Sequence, residues 1–342
     1  MKKATHLYVS GFKKNSGDFF LGSATKWKFE KMIGEEIEWQ TKNIRKIFDK
    51  KDLDQVNESD YLVIGGGGLL LPDTNANNIS CWQWPASKEN IAMIKSNIYI
   101  MSMGWNLFYN QKVTMPHVNT NQEFKNRKMI FKENIETLLN KAAHFSVRHT
   151  GDREKIKEII DEKFHSKIKF EFCPVIEYVK DLYAEDFVNK KIYHTFEIKD
   201  DRPHRRYYRK GRGAFYQELL VYIKVLISSG EKVAIMSHDG SSSFCKFLNS
   251  NQVPFVLLDN SVANEKTIIN NYAKVKKLYC TAGHSQMTAH ALGLDYYSLI
   301  THDKLKYFLE DIGRFTKDNN CLVNEENINN NIYISDFDKA LK

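Results

Sequence analysis

Along this chain, short apolar runs alternate with segments whose apolar residues recur at helical spacing. The runs that predict strands are "ATHLYVS" (4–10), "YLVIGG" (61–66), "NIYIMSMG" (97–104), "HFSVRH" (144–149) and "FEFCPV" (170–175). Later ones are "KVAIMSH" (232–238), "PFVLLD" (254–259), "LYCTA" (278–282) and "DYYSLI" (295–300). Between them, Ile156, Ile159, Ile160 and Phe164 repeat as one face of a helix over 150–164. "AFYQELLVYIKVLISSG" (214–230) is a second helix, with Gly230 placed to cap its C-terminus. Near-continuous apolar strands that alternate with helices predict parallel sheets covered on both faces. The alternation breaks at 180–213, a polar stretch and the natural place for a domain boundary. The expected domains are therefore 1–188 and 189–305, and the helical segment 306–342 is expected to pack back on the first domain.

Composition changes this picture only slightly. With 342 residues, 42% hydrophobic and 27% charged, the chain is globular and long enough for two cores. Fifty Lys and Arg against 42 Asp and Glu give +8, which fits a mildly basic surface or an anionic ligand. Five cysteines, an odd number with no CxxC, read as reduced core thiols, and a cytoplasmic location follows. The opening "MKKATHLYVSGF" has no apolar signal core, and no run approaches the ~18 apolar residues that span a membrane. The Asn-rich tail after Asp318 is expected to be loosely ordered.

Candidate chemistry gathers where strands end, which is where open parallel sheets bind ligands. "NSGDFFLG" (15–22) follows the first strand, with Gly17 free to turn tightly and Asp18 placed as a helix cap or as a base for a sugar hydroxyl. Gly65, Gly66, Gly67 and Gly68 follow "YLVI"; they form either a loop whose N–H groups approach an anion or a surface that lets a neighbour pack closely. No helix of the dinucleotide pattern and no GK[ST] follows them. "DDRPHRRYYRKGR" (200–212) carries Arg205, Arg206 and Arg209 beside two tyrosines. It reads as a solvated surface, as a nucleic-acid contact or as an anion clamp between domains, and its position favours the clamp. "SHDGSSS" (237–243) puts His238 and Asp239 at a strand end, with serines able to cap the next helix. In "LYCTAGHSQMTAHALG", His284 opens a helix after a strand, with Ala282 and Gly283 clearing space beside it. There it can donate to an anion, transfer a proton, or simply face solvent. His284 and His290 are six apart, and no metal-binding spacing occurs elsewhere.

Taken in order, "NSGDFFLG", "SDYLVIGGGGLL", "AAHFSVRHTGDREKI", "KVAIMSHD" and "LYCTAGHSQMTAHALGLDYYSLITHDKLKYFLEDIG" resemble the polysaccharide pyruvyl transferase family. The resemblance implies two Rossmann-like domains with mostly parallel sheets facing a central cleft (GT-B-like). It implies transfer of pyruvate from phosphoenolpyruvate to a sugar of a cell-surface polysaccharide, closing a cyclic ketal. Phosphoenolpyruvate is then a co-substrate, with no cofactor or metal, and the acceptor is a saccharide, lipid-linked at the inner membrane face in one reading. By the same resemblance His284 binds the donor, Lys304 matches the family's downstream lysine, and Gly65–Gly68 and Gly17-Asp18 match its early motifs. The chemistry needs cations, a general acid and a base. His284, Asp18 and Asp239 are the catalytic candidates, and Arg148, Arg205, Arg206, Arg209, His238, Lys304 and the glycines the binding candidates. Two positions depart from the family pattern: Ala282 stands where it has Arg, and His149 follows "SVR" where it has an acid. Either an arginine of 202–212 replaces the first, or the donor differs, or activity is lost. The rivals are a nucleotide-sugar glycosyltransferase of GT-B type and, ranked lower, a silent nucleic-acid-binding protein.

Overall fold

A computed structural model of the chain describes residues 1–9, 16–70, 77–107, 121–207, 211–238, 243–261 and 264–315. They form two compact units. The first comprises Met1–Phe12, Leu21–Leu107 and Gln111–Pro174; the second comprises Lys13–Phe20, Phe108–Asn110 and Val175 onward.

The first unit holds strands β1 (Lys2–Tyr8), β2 (Ile37–Asn43), β3 (Tyr61–Leu70), β4 (Asn97–Trp105), β5 (Ala142–Val147) and β6 (Lys169–Phe170). They form one parallel sheet in the order β2-β1-β3-β4-β5-β6. Strands β3 and β4 are buried almost throughout, as expected of central strands covered on both faces. Leu62, Ile64, Ile98 and Ile100 are core residues, all at 0% exposure.

The second unit holds β7 (Tyr193–Glu197), β8 (Val233–Ser237), β9 (Val256–Asp259), β10 (Val275–Cys280) and β11 (Tyr296–Ser298). Again every pairing is parallel, in the order β11-β10-β7-β8-β9. Its core joins Phe196, Ile235 and Tyr279 of the sheet to Leu219, Ile223 and Leu226 of helix Gly211–Ser228.

Three sequence expectations change. Strands β2 and β7 lie in stretches too polar to read as strands. The unit boundary falls between Pro174 and Val175 rather than at 188/189. Helix Pro174–Tyr183 is tied to the second unit by Tyr178 and Tyr183, whose hydroxyls donate to Glu265 at 2.8 and 2.5 Å. Residues 306–315 likewise group with the second unit, where Gln286 Nε2 donates to the Leu305 carbonyl at 3.1 Å.

The glycine run is strand, not loop. Gly65 and Gly67 pair with Met101 and Met103 as β3 passes between β1 and β4. Gly65 has φ +138°, and a Cβ there would lie 2.2 Å from the Met101 carbonyl oxygen. Leu21 fills the space above Gly66 and Gly67, and Asn106 the space above Gly68. Of the two readings, close packing accounts for these positions. A Gly65→Ala substitution combines backbone strain with a clash against β4, and should cost about 2–4 kcal/mol of unfolding free energy by denaturant titration. A loss below about 0.5 kcal/mol would contradict this packing.

Candidate functional site

The chemistry-bearing residues of the second unit collect at the carboxyl ends of β7, β8 and β10. Strand β10 stops at Cys280, and helix Gly283–Ala291 starts three residues later. The buried Glu197, last residue of β7, sets this junction. Its Oε2 accepts the N–H groups of Thr281 at 3.1 Å and Ala282 at 2.8 Å. Burial raises the Glu197 pKa, against the opposing pull of Lys199 and Arg206.

His284 is the second residue of the new helix and is half-buried. First-turn N–H groups of a helix have no partner within it, and they carry the positive end of its dipole. Gly17, in the first turn of helix Ser16–Ile33, packs on the imidazole; a Cβ at Gly17 would stand 2.3–2.4 Å from three ring atoms. The segment Lys13–Phe20 belongs to the second unit, so Gly17 of the early motif meets the late histidine there. Lys304, in helix Asp303–Asp311, lays its aliphatic stem over Gly283, where a Cβ would be 3.3 Å from its Cε.

His238 follows β8 and is 3% exposed. Its Nε2 and Ser285 Oγ are 2.7 Å apart, and its ring meets that of His284 edge-on at 6.0 Å. Burial, helped by the charge of Lys199, depresses its pKa to about 3. His238 is therefore neutral near pH 7 and suited to orienting Ser285 rather than to giving up a proton. Lys199 was missed in the sequence reading. It follows β7, and its N–H donates to Thr281 Oγ1 at 2.8 Å.

The described N-terminal part of the arginine run makes a short helix, Pro203–Arg206. Arg206 is buried: Nη2 meets Asp201 Oδ1 at 2.5 Å, and Nη1 donates to Thr301 Oγ1 at 2.9 Å and to the Thr281 carbonyl at 3.4 Å. Arg206 and Arg202 hold the Asp201 pKa down, at about 2. Arg206 thus braces the strand end one residue from Ala282 instead of reaching out as a clamp. Arg205 is half-buried beside it. Tyr207 is 4% exposed and stacks on Phe215 at 4.6 Å, so it is not available to stack on a nucleic-acid base.

Arg148 belongs to the first unit. It follows β5, is 6% exposed, and lies against Gly104, where a Cβ would be 2.2 Å from its Nε. Its Nε is 4.0 Å from Asp152 Oδ2, four residues along the chain. Its Nε and Nη2 have no hydrogen-bond partner among the described residues, which leaves donors for an anion. The side chain of Asp18, and all of Asp239 and Arg209, lie outside the described residues. No group of three metal-ligating side chains occurs among the described residues. No described helix is long and apolar enough to cross a membrane.

No family model matches the chain, and no curated protein matches it in sequence. Solved structures do match in fold. A chain from Listeria monocytogenes, assigned as a UDP-N-acetylglucosamine 2-epimerase, has a TM-score of 0.55 and 11% identity, covering 99% of this chain and 88% of that one. MnaA from S. aureus, solved with UDP, gives 0.49 at 11% identity, covering 98% and 87%. An alpha-glucosyltransferase in complex with UDP and a mismatched DNA gives 0.48 at 10%, covering 99% and 90%. At such identities the Listeria likeness speaks to fold alone, and it agrees with the two parallel sheets. The chain has the two-Rossmann-domain, GT-B-like fold.

The His238 environment has a consequence for pH. Its folded pKa of about 3 lies below the ordinary 6.5, so folding disfavours its protonation. Stability from this group is complete above pH 6.5 and falls as the pH drops toward 3. Between pH 7 and pH 5 a His238→Gln variant should lose about 2 kcal/mol less stability than the wild type. Denaturant midpoints at the two pH values measure this, and parallel losses in both proteins would contradict it.

Proposed function

We propose that the protein is a carbohydrate-processing transferase that binds a phosphate-bearing donor where helix Gly283–Ala291 begins. One observation carries the reading: Gly17, His284, Lys304 and His238, drawn from four separate parts of the sequence, meet at the carboxyl edge of one parallel sheet. A phosphate there receives the first-turn N–H groups, a hydrogen bond or proton from His284, and the field of Lys199 and Lys304. These act on charge that grows on the leaving phosphate, and His284 is the group that touches it. Arg206 and Glu197 hold the strand end in place. Asp18 and Asp239 remain the candidate bases for the sugar hydroxyl.

Two donors suit such a site. The likeness to a UDP-N-acetylglucosamine 2-epimerase chain supports a nucleotide sugar, as in a GT-B glycosyltransferase. It is the broader support and gives the leading reading. The convergence of Gly17, His284 and Lys304 supports phosphoenolpyruvate, because these positions carry the resemblance to polysaccharide pyruvyl transferases. With that donor, the enol carbon gains a proton and the neighbouring carbon takes a sugar hydroxyl. Phosphate then leaves, and a second hydroxyl of the same sugar closes the ketal.

Thermal melting with UDP, GDP, CMP, phosphoenolpyruvate, pyruvate and inorganic phosphate separates the readings. A ligand at about 100 times its Kd adds roughly 2.7 kcal/mol, which is visible as a shift in Tm. Stabilisation by a nucleotide supports the glycosyltransferase; stabilisation by phosphoenolpyruvate and not by pyruvate supports pyruvyl transfer. In either case His284→Ala should lower the affinity at least about tenfold, roughly 1.4 kcal/mol. A His284→Ala protein with an undiminished response, or no response to any phosphate-bearing compound, overturns the proposal.

A further inference from the structure

Three segments of the first unit hold apolar side chains out in solvent among lysines. Residues 44–49 follow β2, residues 77–87 follow β3, and helix Asn121–Lys141 follows β4. Strand β5 starts directly after that helix and pairs parallel to β4, so the helix returns from the carboxyl edge of the sheet to its amino edge. Its first turns therefore lie at the carboxyl edge, with the other two segments. Ile47 is 65% exposed, Ile79 40% and Phe124 36%.

The segments are tied together. Arg45 Nε donates to Gln83 Oε1 at 2.7 Å, and the Phe48 N–H to the Pro85 carbonyl at 3.1 Å. From the other side, the buried Arg127 donates to the Asn77 carbonyl at 3.2 Å and to Asn78 Oδ1. Residues 77–86 thus bridge the other two segments, and Ile79 rides on the bridge.

Single exposed apolar side chains are ordinary on a protein surface. These stand among cations. Residues 44–51 carry Arg45, Lys46, Lys50 and Lys51 against Asp49, which is engaged as the cap of helix Lys50–Asn57. Residues 122–129 carry Lys125, Arg127 and Lys128 against Glu123. Lys46, Lys125 and Lys128 are exposed. On the helix, Phe124 and Lys128 are four apart, as are Lys125 and Met129, so they share one outward face. Two anionic surfaces could meet such charge. A nucleic acid is gripped by cations together with aromatic side chains that stack on bases. Ile47, Ile79 and Met129 cannot stack. Aliphatic side chains on separate segments, spaced by lysines, match a fluid anionic surface into which each can sink by itself.

We propose that this edge of the first unit docks on an anionic lipid bilayer. Ile47, Ile79 and Phe124 enter the boundary between headgroups and acyl chains, and Lys46, Lys125 and Lys128 meet lipid phosphates. Each cation near the surface adds about fivefold to the partition coefficient. The docking uses no residue of the donor chemistry.

Co-sedimentation of the full chain with vesicles tests this. The wild type should partition at least about tenfold more strongly onto phosphatidylcholine vesicles with about one-third phosphatidylglycerol than onto phosphatidylcholine alone, and ~0.5 M salt should shrink the difference. Lys125→Glu with Lys128→Glu should weaken binding to the anionic vesicles at least about tenfold. Ile47→Ser with Phe124→Ser should do the same while keeping every cation. Lys3→Glu with Lys95→Glu makes the same change in net charge at the amino ends of β1 and β4, and should bind as the wild type does. Every substituted residue is exposed, and matching melting temperatures exclude unfolding as the cause. Equal losses in the two charge-reversal variants, equal binding to both kinds of vesicle, or binding to neither would overturn the proposal. An oligonucleotide that displaces the wild type from vesicles and binds the Ile47→Ser, Phe124→Ser variant just as tightly would assign the face to nucleic acid instead. A lipid-free dimer that this variant abolishes would assign it to a second copy of the chain.

Discussion

The carboxylate of Glu197, 2% exposed, receives the N–H groups of Thr281 and Ala282, and the geometry of the second unit depends on this capture. Such hydrogen bonds are worth about 0.5–1.5 kcal/mol each net, and losing them would leave a buried carboxyl without its partners. The capture fixes where β10 ends, and therefore which residue opens the next helix. That residue is Gly283, with His284 behind it. A second brace acts from the other side: Arg206, neutralised by Asp201, bonds to the Thr281 carbonyl and to Thr301. Thr281 and Ala282 are thus held at their N–H groups, and Thr281 at its C=O as well. A histidine stands at this strand end because the preceding backbone is clamped and the helix start behind it supplies a positive field.

Space is the second constraint. Gly17 touches the His284 ring where no side chain fits, and Gly283 gives way to the stem of Lys304. In the first unit, Gly65 lets β3 pass the Met101 carbonyl at a distance closed to any other residue. The same residue type serves two ends: in β3 it closes a sheet, while Gly17 leaves room for the His284 ring and Gly283 for the stem of Lys304. Periodicity cannot separate these uses, because a glycine carries no sign of what approaches it.

Much of the fold was legible because most strands are apolar and bounded by turn residues. The exceptions are instructive. Strand β7 lies at the centre of the second sheet, yet His194, Thr195 and Glu197 of its five residues are polar, and all three are buried. It reads as a linker because it carries Glu197, and the strand that anchors the site is the one whose pattern fails. Strand β2 was missed for the opposite reason: it is a half-exposed sheet edge, "IEWQTKN". Of the candidate site, His284 and His238 were visible from their places after apolar runs, and Lys304 only through the family resemblance. Lys199 was not, since a lone lysine in a charged stretch carries no signal until Thr281 Oγ1 is found on its N–H. The arginine run misled in the other direction, because charge density on paper does not reveal that Arg206 is consumed by Asp201 and Thr301.

The central claim is that His284, placed by Glu197 and cleared by Gly17, meets a phosphate group. The most direct test follows the ring resonances of each histidine by nitrogen-15 NMR while inorganic phosphate, UDP or phosphoenolpyruvate is added. The account predicts saturable shifts at His284 with at least one of them, while the buried His6 ring, hydrogen-bonded to the Gly65 carbonyl at 2.6 Å, stays unmoved. A His284 ring unaffected by all three at about 10 mM would contradict it.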